Sequence, residues 1–108
     1  MNKYNAKKTE LDGIVFDSQK EAGRYAELKL LERAGHIKEL TLQPKFELQE
    51  SFSVNGKKHR AITYSADFQY VEDGKTVVED TKGFVTEVFK IKQKLLLYKY
   101  QDIDFRVL

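Results

Sequence analysis

Residues 63–82 read TYSADFQYVEDGKTVVEDTK, and the way this stretch pairs decides the fold. Asp73-Gly74 is a two-residue hairpin signal, because the favoured tight turn needs positive φ at both central positions. Upstream of it, apolar and polar residues alternate from Arg60 to Val71. Ile62, Tyr64, Ala66, Phe68 and Tyr70 share one face, and Thr63, Ser65, Asp67 and Gln69 share the other. A period of two is the mark of a half-buried strand. Lys75 to Lys82 then returns as its partner. With a two-residue loop, Glu72 faces Lys75, Tyr70 faces Val77 and Asp67 faces Asp80. Alternation puts Lys82 on the face of Asp80.

Two directly opposed carboxylates destabilise a hairpin. A cation between them removes that repulsion, and a hard divalent ion such as Mg²⁺ prefers such an oxygen site. Asp67 and Asp80 both interrupt or close apolar runs. They should therefore border the core, where desolvation strengthens their hold on a metal. A plainer account fits the same residues: solvent-facing acids, with Lys82 as a salt-bridge partner.

Working outward from the hairpin, Ser18 with Glu21 three residues on is a capping-box pattern. It opens a helix over about Gln19 to Arg33 that Gly35 stops. Ile37 to Leu40 and Leu42 to Leu48 are β-like around Gln43-Pro44, and Asn55-Gly56 is another hairpin turn. A second helix spans about Thr86 to Tyr100. Val88, Ile91, Leu95 and Tyr98 recur at helical spacing, which predicts the stripe that docks it. Ile103 to Leu108 reads as a last strand, expected parallel to the one before it through the helical crossover. Asp12-Gly13 is a turn, Ile14 to Phe16 a short strand, and residues 1–12 an extended arm. The order predicts an α/β fold with a mixed sheet.

The 108 residues suit a single domain, and 41% hydrophobic content supplies a core without metal or disulfide. The chain has no cysteine and two histidines, His36 and His59. Thiolate zinc sites, cysteine nucleophiles and a histidine-centred triad are thereby excluded or left without material. No apolar run approaches the roughly 18 residues of a membrane span, and polar residues follow Met1. These features predict a soluble, cytoplasmic protein. The net charge of +2 says little, but local basic clusters suit a phosphate-backbone partner. They are Lys7-Lys8, Lys57-Lys58-His59-Arg60, and Lys90, Lys92, Lys94 with Lys99. As single clusters each also reads as a solvated face.

Asp67 followed by Glu79-Asp80-Thr81-Lys82-Gly83 resembles the core of the PD-(D/E)XK nuclease superfamily, in which an upstream acid precedes an acid-x-lysine triplet on the next strand. The wider pattern adds Phe16-Asp17-Ser18-Gln19-Lys20-Glu21-Ala22 at a helix start, Gln43-Pro44, Ala66-Asp67-Phe68 and a basic second helix. In this order and spacing the chain, from about Gly13 to Leu108, resembles a family of small phage and prophage proteins of uncharacterised function with that nuclease fold. One departure is Ala66, where the superfamily motif has proline. The resemblance implies a restriction-endonuclease-like α-β-β-β-α-β core and a metal-dependent endodeoxyribonuclease in the bacterial cytoplasm. DNA recombination, repair or processing, including branched or Holliday-type DNA, are the expected settings, with phage replication or recombination proteins as partners. Paired cuts by one small domain call for two active sites, hence a homodimer. The alternatives are a non-catalytic nucleic-acid-binding module or an adaptor that keeps the fold.

The resemblance also implies roles. Asp67 and Asp80 would bind Mg²⁺, with Mn²⁺ as a substitute, and the Thr81 carbonyl would complete the metal shell. Lys82 would position or deprotonate the attacking water, or neutralise transition-state charge. Glu21 matches the acid that the first helix contributes in many relatives, although the capping box explains it equally well. Glu79, one residue out of phase with Asp80, points to the Phe68 and Tyr70 face and is no ligand. Lys90 and Lys94 are candidate phosphate contacts and Gln43 a candidate polar group near the metal, each with a purely structural reading beside it. Tyr64, Tyr70 and Tyr98 fit core positions better than base-stacking ones.

Overall fold

The computed structural model describes residues 7–82 and 84–108. Helix α1 spans Gln19–Arg33, capped where the sequence signals it: Ser18 Oγ accepts the Glu21 backbone N–H at 3.1 Å. At its other end Gly35 takes a positive φ of 83°. His36 N–H then bonds the Leu31 carbonyl and Gly35 N–H that of Glu32. This pair of bonds satisfies carbonyls that the helix end would otherwise orphan. Glu21, Ala22, Tyr25 and Leu28 form the buried stripe of α1.

The main sheet contains four strands in the order β10-β9-β8-β3, where β3 is Lys38–Leu42, β8 Phe68–Glu72, β9 Lys75–Asp80 and β10 Asp104–Val107. The β8–β9 hairpin turns at Asp73-Gly74, both at positive φ, in the expected register: Glu72↔Lys75, Tyr70↔Val77 and Phe68↔Glu79. β10 joins β9 in parallel, with Val107 beside Asp80. Along the chain, the helices and main-sheet strands run α1-β3-β8-β9-α2-β10, with α2 at Glu87–Lys99. The fold is α/β with two helices and mixed strand pairing.

The sheet separates two cores. Phe68, Tyr70 and Val77 pack with Phe16, Tyr25, Leu28 and Ile37 on the α1 side. Val78, the neighbour of Val77 and hence on the opposite face, packs with Tyr64, Ala66, Phe89 and Leu96 on the α2 side.

This partition corrects the single strand expected over residues 60–71. The chain forms two strands there, β7 (Ile62–Ser65) and β8, with a corner at Ala66-Asp67. Tyr64 and Ala66 therefore serve one core, Phe68 and Tyr70 the other. The partner strand turns with it. β3 gives way to β4 (Lys45–Gln49) across Gln43-Pro44, and the pairing carries through from Leu42↔Phe68 to Lys45↔Ser65. Gln43 N–H bonds the Asp67 carbonyl and Ala66 N–H that of Pro44. Gln43 sits at φ 51° and Pro44 has no N–H to donate, so the ribbon bends here without losing its ladder. Beyond the corner it continues as β4–β7 and then as the hairpin β5 (Phe52–Val54) and β6 (Lys57–His59) around Asn55-Gly56.

A second correction concerns α2. It is capped by Thr86, whose Oγ1 accepts the Phe89 N–H at 3.0 Å, but its docking face is not the expected stripe. Val88, Ile91 and Tyr98 are 61, 60 and 79% exposed, and Leu95 is exposed too. Phe89 and Leu96, seven residues apart, anchor the helix. A third concerns the expected arm. Residues 1–6 lie outside the described residues, while Thr9–Leu11 (β1) pairs antiparallel with Ile14–Phe16 (β2). Among the described residues no helix is long and apolar enough to cross a membrane.

Candidate active site at one end of the main sheet

Three elements deliver acids to the end of the sheet remote from the Asp73-Gly74 turn. Asp80 is the last residue of β9, Asp67 stands at the corner before β8, and Glu21 lies in the first turn of α1. Asp80 is 1% exposed and Glu21 6%; Asp67 is half-buried. Burial pushes the Glu21 carboxyl up from 4.5 to about 7, with Asp67, Asp17 and Asp80 adding repulsion and a backbone hydrogen bond at Asp17 opposing it. Burial likewise raises Asp80 from 3.8 to about 6, against a Tyr64 hydrogen bond that stabilises its charge; Asp67 pushes it further up and Lys82 pulls it down. Glu21 and Asp80 are therefore desolvated carboxyls whose charge is penalised further by the neighbouring Asp67.

Each carboxylate already has partners within the chain. Asp67 Oδ2 accepts the Thr81 backbone N–H at 2.7 Å and the Thr81 hydroxyl at 2.6 Å. Asp80 Oδ2 accepts the Tyr64 hydroxyl and lies 3.3 Å from Lys82 Nζ. Lys82 Nζ also sits 4.8 Å from the centre of the Phe89 ring, so α2 helps to aim it. Among the described residues no three acidic or histidine side chains stand together as a ready ligand set. The donor chemistry nonetheless suits a hard divalent cation: carboxylate oxygens, buried at Glu21 and Asp80 and half-buried at Asp67.

The remaining candidates scatter around this cluster. Thr81 is tied to Asp67 by its N–H and hydroxyl. Gln43 touches the site through its backbone N–H, which holds the Asp67 carbonyl at 2.9 Å, while the residue itself is exposed. Lys90 and Lys94 are exposed on α2, Lys90 paired with Glu87 at 3.2 Å.

Sequence reasoning missed three groups that organise the site. Tyr64 holds Asp80; its signal was its place on the strand leading to Asp67, where it reads as core or base-stacking and not as a partner of Asp80. Arg24 forks onto Glu79, Nε to Oε1 at 2.7 Å and Nη2 to Oε2 at 2.6 Å. Glu79 is fully buried on the Phe68 and Tyr70 face and also accepts the Tyr70 hydroxyl. Arg24 lies one turn from Glu21, and Glu79 is adjacent to Asp80. The bidentate pair thus fixes the height of α1 on β9 and with it the spacing of two site acids. Arg106 completes this side, its guanidinium 3.3 Å from the Tyr70 hydroxyl and bound to Asp104 and Glu72.

The fold and the cluster define an α/β protein with an acid–lysine site at one sheet end. Over residues 1–108 the chain matches the family described as Protein of unknown function (DUF1064). The chain belongs to this family. No curated protein matches it.

Proposed function

We propose that this protein is a divalent-metal-dependent endodeoxyribonuclease with a restriction-endonuclease-like core, encoded by a phage or prophage. The observation that carries the reading is the gathering of Glu21, Asp67, Asp80 and Lys82 at one end of the main sheet. The Glu21 and Asp80 carboxyls are buried, with Asp67 and Asp80 repelling the first and Asp67 the second, and the ammonium stands 3.3 Å from Asp80. The order α1-β3-β8-β9-α2-β10 supports the same reading, because it is the α-β-β-β-α-β order that the sequence resemblance implies.

Asp67 and Asp80, with Glu21, would hold the cation. When bound, a divalent ion supplies Lewis-acid polarisation of the phosphate and makes water a better nucleophile at neutral pH. The chain's own groups do the positioning. Tyr64 and Thr81 orient the two aspartates. Lys82, held between Asp80 and the Phe89 ring, places positive charge where the pentavalent phosphate becomes most negative.

One observation favours the second reading, a non-catalytic DNA-binding module. Thr81 and Tyr64 already occupy oxygens of Asp67 and Asp80. A panel of labelled junction, fork, flap, duplex and single-stranded DNA, incubated with Mg²⁺, Mn²⁺ or EDTA, separates the two. Metal-dependent cleavage of any member supports the nuclease. Binding without cleavage under every metal supports the module.

A further inference from the structure

Beyond the corner at Ala66-Asp67, the contacts that anchor the β4–β7 ribbon among the described residues lie at its base. Phe46 and Leu48 pack toward the α2 core, Lys99 Nζ reaches the Glu47 carbonyl at 2.7 Å, and the Tyr100 hydroxyl bonds the same carbonyl. From there outward every residue of 49–60 is exposed. At about 3.3 Å per residue, Gln49 to Asn55 reaches at most roughly 20 Å beyond the support, and Ser65 to Asn55 at most roughly 33 Å. The radius of gyration, 15.8 Å, exceeds the value of about 13 Å for a compact chain of this size, as a projecting wing requires.

The wing is basic. Lys57, Lys58 and Arg60 stand against Glu50 alone within residues 49–60. Among the described residues none of the three basic side chains has an ion pair. Alternation along β6 puts Lys57 and His59 on one face and Lys58 on the other. Phe52 and Val54 are exposed on the face of Lys57 and His59, across from which they pair, and the Phe52 ring stacks on the His59 imidazole at 4.8 Å. An isolated two-stranded ribbon is marginal in water, and this one buries none of its large apolar residues.

We infer that the β5–β6 wing is a second DNA contact, a two-stranded ribbon that enters a groove of duplex DNA and places Lys57, Lys58 and Arg60 against phosphates on both of its walls. The proposal rests on the DNA-processing reading above. A major groove admits a two-stranded β-ribbon, and positive charge on both ribbon faces matches phosphates on both sides. The reach fits as well. The wing starts at the strand that carries Tyr64 and leads to Asp67, and its tip lies within about 33 Å of that corner. That is about one helical turn of B-form DNA. The wing would thus set where along the duplex the acid cluster sits.

The test is binding of a labelled 30-base-pair duplex in EDTA, followed over a salt series, for the parent and for the triple variant Lys57→Ala, Lys58→Ala, Arg60→Ala. Each phosphate contact contributes about 0.9 to the slope of log K against log salt. The variant should lose about 2 to 3 from that slope and bind at least about tenfold more weakly at moderate salt. Its Tm should match the parent, because all three side chains are exposed. Lys57→Arg with Lys58→Arg should keep both affinity and slope. Unchanged affinity and slope in the triple variant overturns the wing, as does a parent with no affinity for duplex at low salt. Wing-dependent binding with no cleavage under any metal sinks the nuclease reading and leaves the wing standing. Cleavage by the parent with wing-independent binding does the reverse.

Discussion

At the scale of single residues, the competing accounts of Glu21 separate cleanly. Its backbone N–H is capped by Ser18, so the cap survives any change of the Glu21 side chain. At pH 5, where burial keeps Glu21 protonated, Glu21→Gln should hold Tm within a few degrees of the parent. If the acid serves the metal, the same change should slow cleavage roughly tenfold or more, a barrier increase of about 1.4 kcal/mol. Ser18→Ala is the control, costing about 1 kcal/mol of stability and leaving cleavage intact. Stability lost and cleavage kept in Glu21→Gln would reduce Glu21 to a helix-start residue. Lys82→Ala should cut turnover severely while duplex affinity changes little, because an ammonium beside the reacting phosphate acts mainly in the transition state. Equal losses in rate and affinity would make it an ordinary phosphate contact. The acids and the lysine were legible because a hairpin with a known turn fixes register. Arg24, Tyr64 and their partnerships were not, since nothing in a sequence states which helix residue meets which strand residue across the core.

At the scale of elements, both helices and the Asp73-Gly74 hairpin were readable from caps and turn residues. The corner at Ala66-Asp67 was not. The alternating pattern runs through it unbroken, so one apolar row looks like one face when it serves two cores. The only local markers, Gln43 at positive φ and Pro44, lie on the opposite strand. Helix α2 shows a related failure. A regular apolar stripe was read as the docking face, yet the helix is held by Phe89 and Leu96. Two substitutions measure this. Ile91→Lys should shift stability by no more than about 0.5 kcal/mol, as befits an exposed site. Leu96→Ala, at a fully buried position, should cost about 2–5 kcal/mol. Chemical denaturation of the two variants checks the assignment; comparable losses in both would mean that the stripe is covered.

At the scale of the whole molecule, the acid cluster makes stability depend on pH in an unusual direction. Most native carboxyls titrate lower than in the unfolded chain, which favours the fold as pH rises. Here Glu21 is raised to about 7 and Asp80 to about 6. Between pH 5 and 7 the native state therefore holds more protons than the unfolded chain. Stability must fall as pH rises through that window, being fully present only below the unfolded values of 4.5 and 3.8. Without metal, Tm should drop from pH 5 to pH 8 by an amount on the order of 10 °C, since each carboxyl contributes roughly 2 kcal/mol. Glu21→Gln removes one of the two titrations and should flatten the curve, which ties the effect to this cluster and not to net charge. A cation that binds only the folded, ionised cluster adds stability in proportion to the logarithm of its excess over Kd. Millimolar Mg²⁺ should accordingly narrow the gap at pH 8 and do little at pH 5, where protons already neutralise Glu21 and Asp80. Thermal melts at the two pH values, with Mg²⁺ and with EDTA, provide the measurement. A metal-free Tm that is flat or rising from pH 5 to pH 8 would mean that the three acids do not burden one another, and the cation would then have no repulsion to relieve.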